Sequence, residues 1–324
     1  MLKQAKLLIR SAASVHYPDG SPNIFLFTMP RSGSTWLMEL IWSQPGFKHC
    51  NEPLNLRVEL VRRHLGIHTW AELYSQDATE KLAAYFQNWI DGRLHFKNPR
   101  PFGRHYRPVT RRIVFKIVNG CEDRINWLKD SFNGRVVYLL RHPLAVTLSR
   151  AAFPRLEAFV NSDYARHFTA EQLAFARHII HDGSHLEKGV LSWCFQNAVP
   201  LRDRTEDWVV LTYEQTVLEP ALIVQHLTRR LDLPAPARMA AQIKIPSGVA
   251  AKSDAGTQAL LQKLHDQSAQ QALVEKWRRR VDARDGRQAM AILAVFGLDA
   301  CYTYDSNLPH GSFWIKNSPG PQDS

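Results

Sequence analysis

Cysteine is scarce: four in 324 residues, at positions 50, 121, 194 and 301, widely separated and with no C-x-x-C pair. Such spacing argues against a disulfide framework and against a structural zinc site. No N-x-[ST] acceptor occurs anywhere, so nothing marks a secreted glycoprotein. No run approaches the roughly 18 apolar residues that span a bilayer. Lys3, Lys6 and Arg10 flank an apolar stretch of only Leu7-Leu8-Ile9, too little for a signal peptide. The first ten residues read either as a helix packed on the domain or as a short basic amphipathic helix on a membrane. A cytoplasmic protein without a transmembrane anchor is expected, with membrane association peripheral at most. His, Asp and Glu form no cluster with metal-ligand spacing, so no metal is expected, and the sequence holds no internal repeat or low-complexity tract.

Hydrophobic content of 45% and charged content of 22% are ordinary for a globular protein, and 324 residues suffice for a sizeable core. The net charge of +11 predicts attraction to anions such as nucleotides, acidic glycans or anionic lipid. Its densest run, Lys276–Arg280, reads as the solvated face of a helix. No nucleic-acid recognition motif is present, and the aromatics fall at core spacings rather than between Lys and Arg, so no nucleic-acid partner is expected.

The chain is organised around residues 23–42, NIFLFTMPRSGSTWLMELIW. Ile24-Phe25-Leu26-Phe27 is a short apolar run suited to a buried strand. Pro30-Arg31-Ser32-Gly33-Ser34-Thr35 packs a turn, a cation, three hydroxyls and a glycine into six residues, and Trp36, Leu37, Leu40 and Ile41 recur at helical spacing. A strand, a polar turn and a helix start form a nest of N–H groups at a positive helix end, which suits a phosphate. The Walker A pattern needs two glycines and a lysine that are missing, and Arg31 precedes the glycine where a Walker lysine would follow it.

In the segment 47–55, Asn51-Glu52-Pro53 reads as the end of a strand running into a turn, and further strands are expected at residues 113–118, 136–140 and 208–211. Helical patterns cover residues 57–91, 122–130, 144–152, 169–201, 213–231 and, after a loop over 235–255, most of the chain to Phe296. Residues 93–112, with Pro99, Pro101, Pro108, Arg100, Arg104, His105 and Arg107, read as a basic loop, either a substrate-contacting lid or a solvated surface loop. Alternating strands and helices predict an α/β fold with a parallel sheet covered on both faces. The expected division is an N-terminal segment 1–22, one domain over 23–300 and an irregular tail 301–324.

In open parallel sheets ligands sit beyond the carboxyl ends of the strands. Arg31 with its hydroxyl loop, Arg141 and Tyr213 all stand at such ends. Arg141 and Ser149, eight residues apart, have the spacing to grip one phosphate from two sides. With the first cradle they imply a ligand carrying two separate anionic groups.

Pro30-Arg31-Ser32-Gly33-Ser34-Thr35-Trp36-Leu37 resembles the 5′-phosphosulfate loop of the PAPS-dependent sulfotransferases. Residues 136–150, VVYLLRHPLAVTLSR, resemble their 3′-phosphate element, and Thr212-Tyr213-Glu214 with Leu218-Glu219-Pro220 resembles their Y-E-x-x-x-x-x-P segment. The resemblance covers about residues 23–231 and implies a P-loop-NTPase-like sulfotransferase fold that moves a sulfuryl group from PAPS to an acceptor hydroxyl or amine without a metal. It implies that Ser32, Gly33, Ser34 and Thr35 hold the 5′-phosphosulfate, that Trp36 and Tyr213 lie near the adenine, and that Arg141 and Ser149 hold the 3′-phosphate. Arg31 would stand at the bond that breaks. The family's late basic loop is best matched by Lys252-Ser253 with Gly256.

The cytosolic small-molecule members use a histidine two residues past a strand lysine. Lys116 matches that lysine, but Val118 stands where the histidine would be. Glu52 matches instead the glutamate of the carbohydrate and bacterial members, and a partly desolvated carboxylate is able to take a hydroxyl proton as the O–S bond forms. His49 and His105 are the reserve bases. The acceptor, a glycan, lipid or natural product, is not readable from the chain. The competing readings are a kinase or P-loop-like enzyme, disfavoured by the missing Walker lysine, and a non-catalytic basic anion-binding protein.

Overall fold

The run predicted to be the central strand is buried on both faces. In the computed structural model, which describes residues 13–243, 245–246, 255–263 and 266–315, it forms β2, Asn23–Thr28, with every residue buried. Side chains alternate across a strand, so Ile24 and Leu26 enter one core and Phe25 and Phe27 the other. Strand β3 is Phe47–Asn51, β5 Arg112–Ile117, β6 Gly134–Leu140 and β7 Val209–Thr212. They form a five-stranded sheet in the order β3-β5-β2-β6-β7 with every pair parallel. Consecutive strands β2 and β3 are therefore not neighbours: β5 lies between them, with Phe25 opposite Phe115 on one side and Val136 on the other. The sequence expected a strand–helix alternation, and this parallel α/β sheet is its result.

The helix Ser34–Trp42 covers one face through Leu37, Leu40 and Ile41. Leu82, Tyr85, Phe86 and Trp89 of the helix Ala78–Ile90 help to cover the other, where Phe25 and Phe115 stack at 5.1 Å. Behind β6 runs His185–Asp203, started by a capping box of Ser184 and Glu187. Its Gln196 meets the buried Arg155 guanidinium, which also pairs with Glu122 and donates to the Tyr74 hydroxyl at 2.6 Å. A short sheet of β1, Val15–His16, and β4, Val109–Thr110, sits at the amino ends of the large one.

Several local expectations change. The stretch 144–152 is helical only over Pro143–Thr147, after which 3₁₀-type bonds from Ser149 to Val146 and Arg150 to Thr147 close the chain into a turn. Within the expected loop 235–255, Pro236–Ile243 is a helix; proline at its start is tolerated because the first helical N–H needs no partner. Among the described residues no helix is long and apolar enough to cross a membrane.

Candidate active site

The carboxyl ends of β2, β5 and β6 open on a cavity of about 530 Å³. Its floor is the turn between β2 and the helix Ser34–Trp42. Arg31 (φ 73°) and Gly33 (φ 84°) both turn left-handed there, and Gly33 starts the helix with no side-chain cap. The N–H groups of Ser34 and Thr35 thus lack intrahelical acceptors and carry the positive end of the helix dipole. Only glycine serves at position 33: a Cβ there would lie 2.6 Å from Cδ2 of Tyr213. The Tyr213 ring is sandwiched between that glycine and the guanidinium of Arg141, 4.0 Å from the ring centroid.

Arg141 is held at several points. Its Nη1 donates to the Arg31 carbonyl at 2.6 Å, and its own carbonyl accepts from Trp193 Nε1 at 2.9 Å. The next N–H, of His142, donates to the buried carboxylate of Glu214 at 2.9 Å, which also accepts from the Tyr302 hydroxyl at 2.9 Å. Burial pushes the Glu214 carboxyl up, partly offset by these bonds and by Arg141. His142 stacks on Trp277 at 4.2 Å and is fully buried, which drives its imidazolium down to about 3, so it stays neutral at physiological pH. Buried polar atoms without a protein partner here include Ser32 Oγ, Arg141 Nε and Oδ1 of the cavity-lining Asn51. Unmet donors beside an uncapped helix start are what an anionic ligand satisfies.

Across the floor, Lys116 on β5 links two elements that are distant in sequence. Its Nζ lies 3.1 Å from Glu52 Oε1 and donates to Thr35 Oγ1 at 3.2 Å, while Asn55 Nδ2 donates to Glu52 Oε2 at 3.0 Å. The lysine side chain is 5% exposed and the glutamate 30%. Glu52 lies just past β3 with φ 57°, its N–H bonded to the Lys116 carbonyl at 2.9 Å. Burial pushes its carboxyl up, but the charge and hydrogen bond of Lys116, the Asn55 bond and the field of Lys97 outweigh that and leave it below its ordinary value. Glu52 is thus an ionised proton acceptor at neutral pH.

Arg31, Gly33, Ser34, Thr35, Trp36, Glu52, Lys116, Arg141, Ser149 and Tyr213 all line the cavity, brought together from the ends of all five strands of the sheet. Ser32 is buried just beneath it, and the Ser149 hydroxyl donates to the Val146 carbonyl at 2.7 Å. Lys252 and Ser253 lie outside the described residues. His49 packs edge-on to Trp42 and His105 bonds Gln242; neither lines the cavity. No residue of the basic stretch 93–112 lines it: Lys97 acts on the site through its field at Glu52, Arg107 donates to the Ser43 carbonyl, and the N–H groups of Arg111 and Arg112 bond the Gly46 carbonyl at the amino ends of β3 and β5.

The run Lys276–Arg280 is the largest departure. It is a 3₁₀ turn, not a solvated helix face, and Lys276, Trp277 and Arg280 line the cavity beside Leu273 and Val274. Trp277 within KWRRR is the signal: a lone aromatic in a basic run marks one buried side, here docked on His142. Among the described residues no group of His, Cys, Asp and Glu has the arrangement to hold a metal ion.

No curated protein matches the chain. Among solved structures it is similar to the sulfotransferase domain of the Synechococcus PCC 7002 olefin synthase, at 16% identity over 87% of this chain and 96% of that one, TM-score 0.43. A sulfotransferase domain from the curacin biosynthetic pathway gives 16% identity over 87% and 99%, TM-score 0.42. Mouse sulfotransferase SULT7A1 complexed with PAP gives 14% over 90% and 89%, TM-score 0.43. The profile of the sulfotransferase domain matches residues 21–293, a span that includes the hydroxyl loop, the strand ends and the KWRRR turn. By that match the chain belongs to the sulfotransferase family.

Proposed function

We propose that the chain moves the sulfuryl group of PAPS to a hydroxyl or amine of an acceptor, leaving PAP, within a transferase domain over residues 23–300, and that Glu52 is the general base. The observation that carries this reading is the Lys116 bridge, 3.1 Å to Glu52 and 3.2 Å to Thr35, which sets a carboxylate beside the loop suited to the reacting anion. The unpartnered Ser32 Oγ and Arg141 Nε, and the uncapped helix start, fit a ligand with anions at both ends.

PAPS supplies an activated S–O bond and a good leaving phosphate; the protein's work is positioning and charge stabilisation. The N–H groups of Ser34 and Thr35, with the Ser32 hydroxyl, hold the 5′ anion, and Arg31 neutralises charge at the leaving oxygen. Arg141 and Ser149 hold the 3′-phosphate, with Lys276 and Arg280 adding positive charge from the far wall. Trp36 offers a flat face to the adenine, and Tyr213, whose faces Gly33 and Arg141 cover, borders it by its ring edge. Glu52 takes the acceptor proton on a carboxylate oxygen, a role that contributes about 10²–10⁴-fold. Lys116 couples the two halves: whatever hydrogen bonding it gives to an anion on the loop it withdraws from Glu52, which raises that carboxylate's proton affinity. Leu273, Val274 and Trp277 exclude water from one side.

Calorimetry with PAP and with ADP, followed by transfer of labelled sulfate from PAPS to pooled cell extract, tests this. PAP should bind more tightly than ADP, and Arg141→Gln should weaken PAP by about 10–100-fold, the loss of a charge-assisted hydrogen bond, with little effect on ADP. Equal affinity for the two nucleotides, or no labelled product, refutes the proposal.

A further inference from the structure

The sheet edge opposite the cavity carries a second feature that sulfuryl transfer does not use. Five large hydrophobic residues are exposed among those described, and four gather there: Phe102 at 92%, Tyr17 at 65%, Val109 at 50% and Val15 at 38%. The pairing of β1 with β4 sets Val15 beside Val109, and the Tyr17 N–H bonds the Thr110 carbonyl at 2.9 Å. Phe102 has φ 60°, and its ring lies 5.7 Å from that of Tyr106, whose hydroxyl bonds the Ala13 carbonyl next to β1. The apolar tip is thus fixed to the small sheet. Arg111 and Arg112 in turn donate from their N–H groups to the Gly46 carbonyl at 2.7 and 3.1 Å, which anchors the patch at the amino ends of β3 and β5.

Positive charge predominates around these side chains. Residues 98–112 contain five arginines and no acid. Arg100, Arg104 and Arg111 are exposed, and Arg238 of the adjoining helix is near enough to act electrostatically on Arg107. Acids stand among them: Asp19 lies 3.6 Å from Arg111, Asp232 acts electrostatically on Arg112, and Asp91 adjoins Gly92, which lies against His16 of β1. The sequence leading into Ala13 adds Lys3, Lys6 and Arg10, again with no acid.

We propose that this edge docks on an anionic lipid bilayer. A second copy of the chain would bring arginines against arginines. A soluble acidic partner answers the arginines without covering Phe102 and Val109. The headgroup region answers both, since aromatic and aliphatic tips enter it while guanidiniums meet lipid phosphates. The cavity opens at the other end of strands of about six residues, roughly 20 Å away at 3.3 Å per residue, so docking leaves it facing the aqueous side. The proposal does not depend on the identity of the donor or the acceptor.

Co-sedimentation of the full chain with phosphatidylcholine vesicles, with and without about 30% phosphatidylserine, tests it at low salt. The anionic vesicles should capture the protein and the neutral ones should not. The triple variant Arg100→Gln, Arg104→Gln, Arg111→Gln should lose about 100-fold in partitioning. The triple variant Tyr17→Ser, Phe102→Ser, Val109→Ser should lose at least about 10-fold. All six side chains are exposed, so circular dichroism should show both variants folded. Phe102→Trp should add a blue-shifted emission component on anionic vesicles. Absence of capture, capture unchanged in either triple variant, or no shift from Phe102→Trp overturns the proposal. So does binding to a soluble polyanion without binding to vesicles.

Discussion

Replacing Glu52 by glutamine removes a charge and leaves the shape. The amide oxygen takes the place of Oε1 and accepts from Lys116, while the NH2 replaces Oε2 and meets Asn55, whose own amide turns to present its oxygen, so the pair at 3.1 Å is kept and the 3.0 Å bond is reversed. What disappears is the proton acceptor. The turnover rate should fall by about 10²–10⁴-fold, or about 2.7–5.5 kcal/mol of barrier. PAP affinity should hold or rise, because the Lys116 ammonium is no longer neutralised by a carboxylate. The acid limb of the wild-type kcat/KM, which reports the free enzyme, should lie below pH 4.5, the ordinary value for this group, because Lys116, Asn55 and Lys97 outweigh burial and hold the folded carboxyl lower, and in the donor complex, where Lys116 turns toward the anion, the limb should move up. The sign for stability is the same. The ionised group's contribution is complete above its unfolded value and is lost as pH falls through the folded one. Single-turnover kinetics against pH, with PAP calorimetry on both proteins, measures all of this. If Glu52→Gln keeps more than a tenth of the rate, or loses PAP binding in step with rate, the base lies elsewhere and Glu52 only braces Lys116.

Gly33→Ala places a methyl 2.6 Å from the Tyr213 ring at φ +84°. Left-handed strain of about 1–2 kcal/mol plus the displaced ring should lower the thermal midpoint and weaken PAP by at least about 10-fold; wild-type binding would show that the Tyr213–Arg141 stack does not shape the site. Arg155→Met leaves Glu122 buried and unpaired and should cost about 3–5 kcal/mol in urea unfolding. Adding Glu122→Gln should recover more than half of that loss, and a double variant no better than the single one would place the energy in packing instead.

The legible parts of the site were those built from consecutive residues. The β2 turn and its helix lie within twenty residues, so the apolar run, the glycine and the hydroxyls announce one another. Arg141 and Ser149 were found the same way, although the helix between them proved to be a short helix and a turn. The KWRRR run misled because charge patterning cannot tell a solvated cation from one at the mouth of a cavity. Trp277 decides that, and its partner His142 lies far away in the chain. The arginines of residues 93–112 left a lid and a solvated loop both open for the same reason: a sequence does not say at which end of a sheet a loop emerges.

By itself the sequence determined a parallel α/β fold, with a polar turn at residues 30–36 and Arg141 at strand ends, because strand burial and helix starts depend on neighbouring residues. Tertiary structure alone decided that β5 inserts between β2 and β3. That insertion brings Lys116 between Glu52 and Thr35, and separate packing of Trp277 on His142 sets a turn more than two hundred residues from the first cradle against the same cavity. Such contacts are set by which apolar faces bury against which, a property of the whole chain that no local window contains.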